Sequence, residues 1–116
     1  LSAISRLAQG YGLDVLTEVF DESDLERALA AGATVIGINN RDLSSFDVDT
    51  NRAAKVSAGI SGSAIAMSLS GVSSVEDIAA QCRMGLSRFL VGEALSRSRN
   101  AAELLRAMIK CGETTP

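Results

Sequence analysis

The chain has 116 residues, of which 47% are apolar, enough for one modest packed domain. A net charge of −3 and an aromatic content of 3% leave neither the basic field nor the stacking platforms of a nucleic-acid binder. With no histidine, and with two cysteines, Cys82 and Cys111, far apart and without metal-ligand spacing, His-based triads and most zinc sites within the chain are excluded and a reducing cytoplasm is the expected setting.

Leu1 opens in mid-pattern, as part of something longer would, and the chain does not open on a basic-then-apolar leader. No apolar run reaches the roughly 20 residues that span a bilayer. Apolar Ile4, Leu7, Ala8 and Tyr11 predict a helix over Ser2–Tyr11 that stops at Gly12. Leu13–Phe20 is strand-like. Asp21 is placed to cap a helix over Glu22–Ala31, with Leu25, Ala28 and Leu29 on one face and Gly32 after it. A second strand starts at Val35. A weaker helix is expected over Asp47–Ala58, capped by Asp49, with Ala53 and Val56 inward. Gly59–Ser63 reads as loop and Ala64–Ser68 as strand. Ser74 and Asp77 have capping-box spacing for a helix through Met84, closed by Gly85. Arg88–Val91 is a last strand, followed by a helical turn over Glu93–Ser96. Asn100 then caps Ala101–Lys110, and Gly112–Pro116 is expected to fray.

The order is helix, then strand–helix four times. Such alternation implies a parallel α/β sheet with right-handed crossovers. Four β/α units are half of an eightfold TIM barrel; a small open sheet is the other arrangement, with two exposed parallel edges. Residues 1–116 are therefore expected to form a single half-barrel unit.

Three places could carry chemistry. Val35-Ile-Gly-Ile-Asn-Asn-Arg-Asp-Leu43 runs from buried-strand residues straight into polar ones, the step expected where a parallel strand opens into a ligand-facing loop. Asn39 can donate and accept, and Arg41 is a permanent planar cation. Equally, Asn39 and Asn40 could form an ordinary turn with Arg41 paired to Asp42 in water. Glu18 lies inside an apolar strand, where a carboxylate needs a partner. Alternation puts it with Leu16 and Phe20, opposite Val15, Thr17 and Val19. It could act as a base in a barrel mouth, or be a strand-end residue bonded to a lysine or to backbone. Finally, Ser70-Gly71 and Gly92-Glu93 put glycines at the ends of the last two strands, where barrels hold phosphate on backbone N–H groups and helix N-termini. The Glu93 carboxylate would repel a phosphate unless it points away.

Together, Val15-Leu-Thr-Glu-Val19, Ile36 to Leu43, Ser70-Gly71 and Phe89-Leu-Val-Gly-Glu-Ala-Leu95 resemble the second half of indole-3-glycerol phosphate synthases, in order and with matching spacing. The resemblance implies a lyase of tryptophan biosynthesis. It would close the indole ring on 1-(2-carboxyphenylamino)-1-deoxyribulose 5-phosphate with loss of carbon dioxide and water, using no cofactor. By resemblance, Glu18 is the catalytic glutamate of the fifth barrel strand and Asn39 the substrate-binding asparagine of the sixth. Arg41 and Ser70 contact substrate, while Gly71, Gly92 and the N–H of Glu93 hold its phosphate. Two positions depart from the family. Leu69 stands where a glutamate is usual in Ser-Glu-Ser-Gly, so a polar contact near the reacting centre is missing. The family's general-acid lysine and its Glu-x-Lys-x-x-Ser-Pro motif belong to the first barrel half, and Lys55 and Lys110, both in helical segments, cannot replace that lysine. The expected partners are thus a phosphorylated small molecule and either the missing N-terminal half or a second copy of the chain; nucleic acid and membrane are not expected. Another phosphate-binding barrel, such as phosphoribosylanthranilate isomerase, should lack the Asn-Asn-Arg-Asp string. A non-catalytic phosphate-binding or self-associating half-barrel is the remaining alternative.

Overall fold

A computed structural model describes residues 1–116. The chain runs α1 (Ser2–Gly10), β1 (Leu16–Val19), α2 (Glu22–Ala30), β2 (Val35–Asn39), α3 (Arg52–Ser57), β3 (Ile65–Leu69), α4 (Val75–Arg83), β4 (Phe89–Leu90), α5 (Glu93–Arg97) and α6 (Ala101–Thr114). The strands form one parallel sheet in the order β1-β2-β3-β4. Consecutive order without reversal is the winding of a β/α barrel, whereas a doubly wound sheet would change direction partway. Here the winding stops at four strands, so β1 and β4 are each paired on one side only.

The period-2 alternation divides the sheet into two unlike faces. Thr17, Val19, Ile36, Ile38 and Ser68 are buried under the helices. Val19, Ile36 and Ile38 pack there with Leu25 and Ala28 of α2, Ala53 and Val56 of α3, and Leu86. The opposite face carries Leu16 and Glu18, then Gly37 and Asn39, then Met67 and Leu69, then Leu90, in register across the strands. No helix covers it, and Leu16, Ile65 and Leu90 are exposed there. This is the face that would line a closed barrel. α1 is similarly uncovered. Its Ile4 and Leu7 are exposed and it buries no residue.

Two helix boundaries differ by more than one residue from those the sequence predicts. α3 begins at Arg52, not near Asp47. Phe46 adopts a left-handed φ of 61°, Arg41 and Val48 form an antiparallel bridge, and Asp49 N–H donates to the Asn40 carbonyl. These contacts fold residues 42–49 back across the end of β2. Asp49 accepts from Asn51 N–H in a local turn, and it is Asn40 that accepts from Ala53 N–H in the first turn of α3. The second difference is at the C-terminus. Gly112 lies inside α6, which continues to Thr114, and the Thr114 and Thr115 hydroxyls donate to the Lys110 and Cys111 carbonyls to close its end.

The predicted capping box at α4 is present in full. Asp77 N–H donates to the Ser74 hydroxyl, and Ser74 N–H donates to the Asp77 carboxylate. Partial burial pushes the Asp77 pKa up, but hydrogen bonds from Ser73 and Ser74 outweigh it and hold the group below its ordinary 3.8. A depressed folded-state pKa contributes stability above the unfolded value that is lost as pH falls through the folded one. Asp77→Asn is therefore expected to lower stability at pH 7, by about 1 kcal/mol, and by progressively less as pH falls below the ordinary 3.8 and the wild-type carboxyl protonates; urea melts of both proteins from pH 7 downward measure it.

Candidate functional site

The four strands end at Val19, Asn39, Leu69 and Leu90, and the residues singled out in the sequence gather at this C-terminal edge. Glu18 and Asn39 point to the same open face. Asn39 Nδ2 donates to Glu18 Oε1 at 2.7 Å, and Asn39 Oδ1 accepts from Arg41 N–H at 2.9 Å. The partner that the Glu18 carboxylate needs is thus an amide on the neighbouring strand, not a lysine. Asn39 is buried and held at both ends, so it fixes the carboxylate while Glu18 itself stays exposed to whatever covers the face.

The next residue faces the other way. Asn40 is fully buried on the helix side, and each of its polar groups has a partner. Its backbone N–H donates to the Leu69 carbonyl and its carbonyl accepts from Asp49 N–H. Nδ2 donates to Ser68 Oγ at 2.9 Å and to the Ser70 carbonyl at 3.1 Å, and Oδ1 accepts from Ala53 N–H at 3.0 Å. The asparagine doublet therefore splits by strand alternation, one amide serving the open face and the other the framework.

Ser70 and Gly71 follow with left-handed φ values of 62° and 74°. For serine this conformation costs about 1–2 kcal/mol, so the contact at its carbonyl has something to hold in place. Glycine is required at 71, because a Cβ there would also press on Val48 Cγ1, 2.3 Å away. Across from this turn lies Gly92, the residue before α5. A Cβ built there meets nothing within 4 Å, and no side chain caps the helix. Bare backbone from two strand ends thus borders a common groove of about 1010 Å³, whose rim carries Arg41, Glu93 and Arg97.

The Glu93 carboxylate is paired with two guanidinium groups. It lies 3.1 Å from Arg97 and 3.7 Å from Arg41, linking the loop after β2 to α5. Arg97 is a rim cation that the sequence did not single out; its i+4 spacing from Glu93 was the available signal. Behind Arg41 the loop is braced by Asp42, whose carboxyl is held below its ordinary value by the Ser44 hydroxyl and by the Ser44 and Ser45 N–H groups. Arg52 of α3 stacks 3.8 Å over the Phe20 ring at the end of β1, joining this loop to the neighbouring strand end. No cluster of three or more His, Cys, Asp or Glu side chains is placed to hold a metal ion. No helix is long and apolar enough to cross a membrane.

Residues 1–108 match the sequence profile of indole-3-glycerol phosphate synthase. The chain belongs to this family. Among its relatives, the indole-3-glycerol phosphate synthase of Desulfosudis oleivorans is 38% identical over 109 residues, covering 94% of this chain and 41% of that protein. The enzyme of the same name from Acetivibrio thermocellus is 41% identical over 95 residues, covering 82% and 36%. A multifunctional tryptophan biosynthesis protein of Schizosaccharomyces pombe is 35% identical over 109 residues, covering 94% of this chain and 14% of its own length. The chain thus spans about two fifths of the indole-3-glycerol phosphate synthases it matches. Among solved structures, one described as native KDPGal superposes with a TM-score of 0.76 at 21% identity, covering 99% of this chain and 55% of the other. The Amycolatopsis orientalis BexX/CysO complex also gives 0.76, at 17% identity, with 98% and 47% covered. Both likenesses concern the fold. The family's fold is the TIM barrel, and the four β/α units seen here account for half of one.

Proposed function

We propose that this chain is the C-terminal half of an indole-3-glycerol phosphate synthase, a carboxy-lyase of the cytoplasm, and that its strand ends supply half of the active site. The observation that carries the reading is the Glu18–Asn39 hydrogen bond on the open face, beside a groove bordered by Ser70-Gly71 and Gly92. The substrate is 1-(2-carboxyphenylamino)-1-deoxyribulose 5-phosphate, and no cofactor takes part. Its phosphate lies against Gly71, Gly92 and the Glu93 N–H, where backbone donors and the start of α5 favour an anion. Ser70 and Arg41 contact the rest of the substrate. Anchoring the phosphate lets its binding energy orient the reacting carbons over the sheet.

Ring closure requires the substrate carbonyl to gain a proton as the ring carbon attacks it; carbon dioxide and then water leave. A lysine from the absent N-terminal half is the acid in this scheme. Glu18, held by Asn39, adjusts that lysine and receives the later ring proton. Leu69 is buried on the floor beside Asn39, where the family's usual glutamate would add a polar contact.

Inorganic phosphate tests the cradle without needing turnover. Titrated into the chain, it is expected to shift the amide resonances of Gly71, Gly92 and Glu93 and to leave Gly10 and Gly62 alone. Because the Gly92 Cβ position is open, Gly92→Ala should melt at the wild-type temperature yet weaken this response about tenfold by filling the space the anion needs. Unshifted glycines in the wild-type chain would reject the phosphate site.

The exposed apolar face favours a second reading, a self-associating half-barrel. Leu16, Ile65 and Leu90 lie together on an uncovered sheet with two open edges. Size-exclusion chromatography separates the two, since a monomer that associates only with an N-terminal half excludes self-pairing.

A further inference from the structure

We infer that Asn40 is a positioning residue for the anion-binding turn. The inference rests on the proposed phosphate site, but its first readout does not. Ser70 is one of two non-glycine residues held in a left-handed conformation, Phe46 being the other, and it is immediately followed by left-handed Gly71. A peptide in that state relaxes unless its surroundings over-determine it. Asn40 supplies the determination from below. One amide group reaches the buried Ser68 hydroxyl and the Ser70 carbonyl, which lie either side of the end of β3. The same side chain's oxygen receives Ala53 N–H, which makes the first turn of α3 its backstop. Gly71 sits directly above, its Cβ position 3.7 Å from the Asn40 Cβ. Asn40 does not itself line the groove, whereas Ser70 and Gly71, which it contacts, do. Its neighbour Asn39 carries the Glu18 carboxylate, so one dipeptide sets the spacing between the acid–base side of the site and the anion side.

Two substitutions separate positioning from bulk stability. Asn40→Asp keeps the acceptor for Ala53 N–H and lets the Ser68 hydroxyl turn to donate, but it places an oxygen against the Ser70 carbonyl. Ser68→Ala removes a buried hydrogen bond and leaves the Ser70 contact in place. The left-handed state of Ser70 is read from its HN–Hα coupling and Cα and Cβ shifts, and anion binding from the Gly71 and Gly92 amides during titration of the full chain with inorganic phosphate. Both variants should melt lower than wild type. Only Asn40→Asp should lose the left-handed signature of Ser70, with a phosphate response weakened about tenfold or more. Where Asn40→Asp does not fold, Asn40→Ser drops the same donors without adding a charge and reads the same quantities. A Ser70 that stays left-handed in the Asn40 variants overturns the inference, as does equal loss in Ser68→Ala. Loss of the Ser70 signature in a chain whose wild type ignores phosphate leaves the positioning role standing and rejects the phosphate site.

Discussion

In a barrel completed by its N-terminal half, Glu18→Gln is expected to lower kcat by about 10²- to 10⁴-fold while changing KM by little. The substitution keeps the shape of the side chain, and its amide oxygen still accepts from Asn39 Nδ2. What disappears is the negative charge beside the incoming lysine and the site for the ring proton. An interaction made mainly in the transition state shows in kcat and kcat/KM alike, not in KM. Steady-state kinetics on the completed protein measure this. A rise in KM at constant kcat would make Glu18 a substrate-binding group instead of an acid–base one. Asn39→Ala frees the carboxylate from its only side-chain partner and should cost less, because the charge survives and only its orientation is lost.

The second expectation concerns the chain by itself. Its turnover should fall below that of the completed barrel by at least about 10⁴-fold. Two physical terms set the figure. General-acid catalysis is lost outright, because Lys55 lies in the last turn of α3 and Lys110 in α6, in the helical layer rather than at the strand ends. Orientation is lost in part, because the face carrying Glu18 is open to water on the side where four more strands would stand. Product fluorescence at high enzyme concentration, with and without added N-terminal half, reads both terms. Turnover by the chain alone within a hundredfold of the completed enzyme would mean that a group other than the missing lysine protonates the substrate.

Much of this arrangement was legible in the residues because it follows from period. Alternation alone put Glu18 with Leu16 and opposite Thr17 and Val19, and the structure keeps that division, with Thr17 and Val19 buried and Glu18 exposed. The Ser74–Asp77 spacing gave the start of α4 because a capping box is a local device. The parts that were not legible depend on distant partners. Nothing near Asp47 reveals that Asn40 will satisfy the first turn of α3 from the end of a strand, so the helix was expected to begin too early and Asp49 was expected to cap it. The same distant bonding hid the role of Asn40, which reads as a turn former when only its neighbours are considered. Arg97 was missed for a related reason: its approach to the groove depends on where α5 lies against the loop after β2, joined to it through Glu93. The helix expected to end at Lys110 continues to Thr114, where the Thr114 and Thr115 hydroxyls donate to the Lys110 and Cys111 carbonyls and close its last turn.

The measurement that goes most directly to the central claim is a titration of the chain with indole-3-glycerol phosphate, followed at every backbone amide. If one ligand lies over the Glu18–Asn39 pair with its phosphate in the groove, the amides of Glu18, Asn39, Gly71 and Gly92 should move together along a single binding curve. Movement of Gly71 and Gly92 with Glu18 and Asn39 unaffected, or of neither pair, would contradict it.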